Sequence, residues 1–391
     1  MERYDVAVVG AGPAGSMAAR CSAMAGARTL ILEEHKAVGY PVQCAGLLGL
    51  KALEEACLGE SSFRLMPFCG AKIHSPGGGC ISFRASTPRA WAVDRRLFDR
   101  SMALSALASG ADLELGAHVR KVAFAPDRAS LELAGGEEIS ARVVISAEGV
   151  GGRLARAAGI PPPEKILSGA QVEVPFEAED LDSVELYLGA APGLFAWVIP
   201  AGENYARIGL CCRKSACEYL RSFLRGKEIR SRLRGSPLGI MAGGLPLGPS
   251  RSTAVSGLLA VGDSAGQVKP TSGGGIYPGL VCAKIAGKVA AEAAIEGDPS
   301  LKRLSSYDRE WRRAVGRELF VGMRLNRMIE ALRPEELDYL VEYISRRDDL
   351  LRMIEEVGDI DRPSQLLARM LPAIGFDGLR MAGIFRKALW G

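Results

Sequence analysis

The sequence predicts an α/β protein in which a doubly wound, largely parallel sheet carries an antiparallel-sheet domain and a small helical domain. Three observations predict it. A β-α-β pattern occupies the first 33 residues, two more apolar strands end at glycine-bearing turns far downstream, and the intervening and final segments change periodicity.

Tyr4 to Val9 reads as a buried strand, Pro13 to Ala25 as a helix of small residues, and Arg28 to Glu33 as a second strand. That is the minimal unit of a doubly wound sheet. Val143 to Gly149 (VVISAEG) and Gly257 to Asp263 (GLLAVGD) supply further strands. Their distance from the first unit makes the domain discontinuous, over 1–66, 93–160 and 251–298. Ala71 to Trp91 and Gly169 to Leu210 alternate between Gly and Pro turns, as an antiparallel sheet does, and predict a second domain over 67–92 and 161–250. From Leu301 the chain is Arg/Glu-rich with helical spacing of Leu319, Met323, Leu325 and Met328, so 299–391 is the helical domain.

Composition excludes several classes. A formal net charge of +4 with scattered basic residues does not suit nucleic acid. No run of 18 apolar residues is present to span a bilayer, and the first residues lack a signal peptide's apolar core, which predicts a cytoplasmic protein. The nine cysteines contain no Cys-x-x-Cys, and three histidines complete a set too dispersed for zinc or an iron–sulfur cluster. No metal site is expected, and most cysteines are expected to be reduced and buried.

Gly10-Ala11-Gly12-Pro13-Ala14-Gly15 is G-x-G-x-x-G at a strand-to-helix turn. The pattern lets a pyrophosphate approach Gly10 and Gly12 and packs helix on strand at Gly15. Glu33 ends the next strand, where an acid hydrogen-bonds an adenosine ribose. Pro13 inside the motif favours FAD over NAD. Asp263 ends a later strand, suited to a hydroxyl of the flavin's sugar-alcohol chain. The glycines Gly273, Gly274 and Gly275 then precede a long helix from Ile276 to Ile295, whose N-terminus would stabilise charge on the flavin's pyrimidine edge.

With these residues the chain resembles the geranylgeranyl reductase family, flavoproteins related to the aromatic hydroxylases, whose archaeal members saturate prenyl chains of membrane lipids. The resemblance covers nearly the whole chain and is weakest in the helical tail. It implies FAD contacts at Ala14, Gly15, Glu33, Cys44, Ala45, Arg95, Val119, Asp263, Gly275 and Ile276. Arg95, in WAVDRRLFD, would pair with the phosphate–ribityl region. Phe195 to Pro200 (FAWVIP), followed by Gly209, looks like the family's Tyr-x-Trp-x-Phe-Pro segment and Gly-x-Gly. Strand alternation puts Phe195, Trp197 and Ile199 on one side, as a wall for an isoprenoid channel or as ordinary sheet core. Phe195, Ile199 and Cys211 depart from the family pattern, and Glu148 stands where related hydroxylases carry Asp. FAWVIP is also similar to the Trp-x-Trp-x-Ile-Pro of flavin-dependent halogenases, although no lysine is assignable to their halogen-carrying role.

The stretch GYPVQCAGLL matches the family's Pro-x-x-Cys beside the flavin through Pro41 to Cys44. An isolated carbon–carbon double bond has no carbonyl to drain charge, so hydride from flavin N5 must be matched by a proton on the neighbouring carbon. Cys44 is the candidate for orienting that bond or passing the proton, with a packing thiol as the alternative. Trp197 and Phe195 are candidates for stabilising a tertiary cationic centre by about 0.5–2 kcal/mol. The expected reaction is therefore saturation of geranylgeranyl chains, with a halogenase, a hydroxylase or a lipid-binding flavoprotein as alternatives. The expected partners are a prenyl lipid and a reduced donor, either ferredoxin or NAD(P)H. Phe376 to Gly391 alternates apolar and basic residues and is a candidate for peripheral membrane contact.

Overall fold

The computed structural model describes residues 2–59 and 62–374. At its centre five parallel strands run in the spatial order Leu258–Ala260, Glu138–Ser146, Glu2–Val9, Thr29–Glu33 and Asp112–Leu115, edged by antiparallel Ala254–Val255. Both faces are covered, which is why the first strand is apolar without a break from Val6 to Val9. Val6 and Val8 pack on the helices Pro13–Met24 and Ile276–Glu296. Ala7 and Val9 face a meander in which Val119–Phe124 pairs with Ala129–Leu133, and the latter with the first half of Glu138–Ser146.

The two covering helices lie close because Gly287 has no side chain. A Cβ there would stand 2.2 Å from the carbonyl oxygen of Ala18. Their N-termini consequently meet at the carboxyl ends of the strands, with Gly279 beside Gly262 and Ala14. In open α/β sheets that edge is where ligands bind.

A second sheet of seven strands has the order Gly239–Leu247, Lys165–Pro175, Tyr205–Cys212, Gly193–Gly202, Ser183–Leu188, Gly70–His74 and Cys80–Arg84. All pairs are antiparallel except Ser183–Leu188 with Gly70–His74. Helix Ala216–Arg225 covers its back through Ala216 and Leu220. Arg232 reaches in to pair with buried Glu185 at 2.5 and 2.8 Å. The region 71–91 does not stay together. Ala90–Val93 leaves the large sheet and pairs with Leu47–Gly49 and Arg64–Phe68 in a separate three-stranded sheet. The next residue, Asp94, accepts from the amides of Arg96 and Leu97, so the chain turns at once into helix Arg95–Ala108.

From 301 to 374 the chain is helical, through Leu301–Trp311, a π-helical turn at Arg312–Gly316, Arg317–Ala331, Pro334–Ser345, Asp348–Val357 and Pro363–Ile374. Tyr307 and Trp311 are fully buried against the central domain. The Tyr307 hydroxyl donates to Ala260 O at 2.9 Å and accepts from Gln267 Nε2 at 2.9 Å. Gln267 Oε1 in turn accepts from Gly262 N, beside Asp263. Leu319, Met323 and Met328 are buried as their spacing predicts, and Leu325 is half-buried. The candidate membrane segment Phe376 to Gly391 lies outside the described residues. No helix among those described is long and apolar enough to cross a membrane.

The expectation of mostly buried cysteines is corrected. All nine are free, but only Cys211, Cys212 and Cys282 are buried, while Cys57, Cys80 and Cys217 are exposed. Cys80 sits in the end strand of the large sheet and Cys57 ends a helix of only seven residues, so neither has a core to enter.

Replacing Gly287 by Val forces the two helices apart. The expected cost is about 3 kcal/mol in urea unfolding of the flavin-free protein, because overpacking against backbone cannot relax by rotamer change.

Candidate functional site

The carboxyl edge of the central sheet, the front of the large sheet and the three-stranded sheet enclose one cavity of about 1190 Å³. That exceeds the roughly 300–1,000 Å³ of ordinary single-ligand pockets. Gly10, Gly12, Ala14, Glu33, Cys44, Ala45, Arg95, Val119, Phe195, Trp197, Asp263, Gly274, Gly275 and Ile276 all line it. Gly15 does not. It packs inside the turn, where a Cβ would stand 1.9 Å from Gly10 O.

The turn fits a dinucleotide phosphate. Gly10 adopts φ +105°, and a Cβ at Gly12 would meet nothing within 4 Å, so the space before the helix is open. The first-turn amides of a helix have no internal acceptors and favour an anion. Glu33 reaches back into this turn, accepting from Ala11 N at 2.8 Å with one oxygen and from His35 N at 3.0 Å with the other. Glu148 also lines the cavity, and its carboxylate accepts from Ser146 Oγ and the amides of Leu154 and Ala155.

Across the cavity Asp263 stands beside Gly275, at the N-terminus of helix Ile276–Glu296. Burial raises its pKa above the ordinary 3.8, partly offset by the nearby Arg95 guanidinium. Arg95 is itself held by Asp99 at 2.8 and 3.1 Å. Burial opposes its charge, but Asp99 and the Cys44 sulfur outweigh that and the net direction is upward. Beneath Gly274, Lys269 forms a buried ion pair with Asp361 from the helical region and donates to Ile360 O at 3.1 Å. Lys269 is the lysine that lines the cavity, and this pairing holds it in place.

The aromatic wall depends on strand register. Trp197 pairs with Gly209, which pairs with Gln171 on the next strand. The indole lies across Gly209, where a Cβ would stand 2.5 Å from its ring, and Trp197 Nε1 donates to Gln171 Oε1 at 2.9 Å. Glycine is required here for close approach. One row along, the Cys211 thiol occupies the matching space over Gly169, at 3.1 Å from a Cβ position. Burial, then the neighbouring Cys212 and Cys44, push the Cys211 thiol up to about 12, so it stays protonated. Phe195 meets Trp197 edge-on at 6.4 Å.

Cys44 lies on the loop that leads into Leu47–Gly49, its sulfur accepting from Gly46 N at 3.4 Å. The loop is fastened by Arg207, a residue that sequence reasoning missed. Arg207 is buried, donates from Nη1 to Ala45 O at 3.1 Å and to Val93 O at 2.9 Å, and is paired through Nε with Glu173 at 2.9 Å. Alternation in YARIGLCC does place Arg207 on the face of Gly209 and Cys211, which was the available signal. Gln171 was missed for the same reason, since its role appears only once Trp197 is in register with it.

The fold is shared with solved flavoproteins, flavin-dependent halogenases among them. A halogenase solved in complex with FAD superposes with a TM-score of 0.70 over 94% of this chain and 85% of its own, at 15% identity. A geranylgeranyl bacteriochlorophyll reductase-like protein from Thermoplasma acidophilum superposes with a TM-score of 0.85, at 25% identity, over 99% of this chain and 98% of its own. The family model described as lycopene cyclase protein matches residues 5–187. A digeranylgeranylglycerophospholipid reductase of Methanopyrus kandleri is 34% identical over 90% of this chain and 93% of its own length. The chain belongs to the digeranylgeranylglycerophospholipid reductase family.

Two outcomes test the site. Arg207→Met leaves the carbonyls of Ala45 and Val93 without their donor, which costs about 2–3 kcal/mol, and hydrogen exchange should accelerate across 44–47 while the central sheet stays protected. Asp263→Asn should weaken FAD binding about tenfold or more in fluorescence titration. Folding raises this carboxyl's pKa, so its contribution to stability is full below 3.8 and is lost as pH rises through the folded value. Flavin-free Asp263→Asn should accordingly match wild type in acid and exceed it near neutral pH.

Proposed function

We propose that the chain is an FAD-dependent reductase that saturates isolated double bonds of geranylgeranyl chains on archaeal-type ether phospholipids. The observation that carries this reading is the continuity of one cavity. Its polar end is the Gly10–Gly15 turn with Asp263 and the Gly273–Gly275 loop, and it runs directly into an apolar chamber walled by Phe195, Trp197 and Ile199, with Phe68, Ile73 and Phe83 beyond.

A flavin bound there supplies the hydride equivalent. The chain's own residues do the rest. Amides of the first helix turn would hold the cofactor's pyrophosphate, and the N-terminus of the Ile276 helix would stabilise negative charge on its ring. Asp263 is available to accept from a ribityl hydroxyl, and Arg95 sits on the same side of the cavity. The apolar chamber binds the isoprenoid by burial, at about 25 cal/mol per Å² of surface removed from water, and it excludes water from the reacting bond. Trp197 and Phe195 present ring faces and edges to the chain, and the locked indole limits how the double bond lies. The Cys44 thiol, on the loop that borders the cavity and beside Arg95, is the chain's own candidate for supplying the proton.

Anaerobic incubation of the dithionite-reduced, FAD-loaded protein with geranylgeranyl diether phospholipid should yield a mass ladder of two hydrogens per bond reduced. Products that form only with oxygen would refute the reading in favour of a halogenase or hydroxylase. Cys44→Ala should slow single-turnover reoxidation of the reduced flavin by lipid about a hundredfold, in the range of general-acid contributions, with the flavin spectrum unchanged. Equal rates would remove Cys44 from the proton path.

A further inference from the structure

The chamber wall contains one polar group that the reading above does not use. Gln171 is 4% exposed, lines the cavity, and stands in the cross-strand row of Met241, Gly209 and Trp197. An indole nitrogen can only donate, so the bond from Trp197 Nε1 fixes which end of the Gln171 amide is which. The oxygen faces the indole and the amino group is turned away from it. Among the described residues that Nε2 atom has no acceptor, although it is buried.

A buried amide donor without an acceptor is destabilising, and a hydrocarbon chain offers none. Gln171 is also unnecessary for filling space, because leucine or methionine would do so without the penalty. The indole alone does not account for it either, since a single acceptor atom would serve Trp197. We propose that Gln171 Nε2 is an oxygen seat in the wall of the otherwise apolar chamber, holding one uncharged acceptor beside the reacting chain. The proposal rests on the reductase reading for its chemistry, but the seat itself is a property of the protein.

Two sources share that chemistry. One is a water. In that case one of its protons goes to the carbon, the Cys44 thiol replaces it, and the resulting thiolate lies beside Arg95. The electron pair is that of the reduction proposed above. The other is the ether oxygen of the lipid, which is separated from the first prenyl double bond by one methylene. Held by Gln171, it would set that bond at the reacting position.

Crystals of the FAD-loaded protein, free and with a saturated diether phospholipid, test the seat directly. An oxygen within about 3 Å of Gln171 Nε2 is expected in wild type, in both crystals for a water and only with lipid for the ether. Two variants separate the sources. Gln171→Glu keeps the acceptor for the indole, whereas Gln171→Leu removes acceptor and donor together. For a water, Gln171→Leu should reoxidise at least tenfold more slowly with a larger solvent isotope effect and an unchanged lipid Kd. Its rate should be partly restored in Gln171→Glu at low pH, where the protonated carboxyl donates. For the ether oxygen, the lipid Kd should rise about tenfold and the bond nearest the glycerol should remain unreduced in the mass spectra. Carbon atoms against Nε2 in both crystals, or unchanged rate, isotope effect and bond selectivity in Gln171→Leu, overturn the proposal. A protein that holds the oxygen but reduces no prenyl lipid would discard the reductase reading and leave the seat standing.

Discussion

The buried guanidinium of Arg207 is the interaction on which the site's geometry depends. It stands on the large sheet and donates to backbone carbonyls of two segments belonging to the small sheet, Ala45 and Val93. The guanidinium carries its donors in a rigid planar fork, so it holds two carbonyls through Nη1 and a carboxylate through Nε in fixed directions, where a lysine's ammonium would set no such geometry. Gly46 is glycine because the guanidinium passes there, 2.2 Å from where a Cβ would be. The thiol loop therefore has little freedom to move relative to the aromatic wall, and the Asp94-capped helix that begins just after Val93 carries Arg95 to the same place.

A second constraint works from the helical region. Lys269 and Asp361 are both nearly inaccessible, at 8% and 1% side-chain exposure, and their pairing secures the glycine loop from below. Lys51 makes a further ion pair with Asp359 two residues earlier. Both contacts place the 359–361 segment against the cavity. Removing either buried partner leaves an uncompensated charge, so this corner of the fold is stable only as a whole.

The polar and apolar halves of the cavity impose opposite requirements. At the glycine-turn end, open space and free amides are kept by the absence of side chains. At the chamber end, every donor needs a partner because water is scarce. Trp197 finds its partner in Gln171, Cys211 is held as a neutral thiol by burial, and Arg207 is neutralised by Glu173. Among the described residues of the chamber the Gln171 amino group is the exception, and an exception in such surroundings is informative about what the chamber receives.

Local sequence determined the first strand–turn–helix–strand unit. Strand, turn, helix and terminal acid lie within 33 residues, so their contacts are short-range and the motif spells its own geometry. The Phe195–Trp197–Ile199 face was legible as well, because strand alternation needs no partner to define it. Tertiary structure alone decided which strands lie side by side. Gln171 and Arg207 acquire their roles from partners 26 and 34 positions away, Gly209 from the hairpin register that sets it against Trp197, and Lys269 from a partner 92 positions away. Periodicity gives the face on which a residue lies but not the residue opposite it, since pairing is set by packing of the whole sheet.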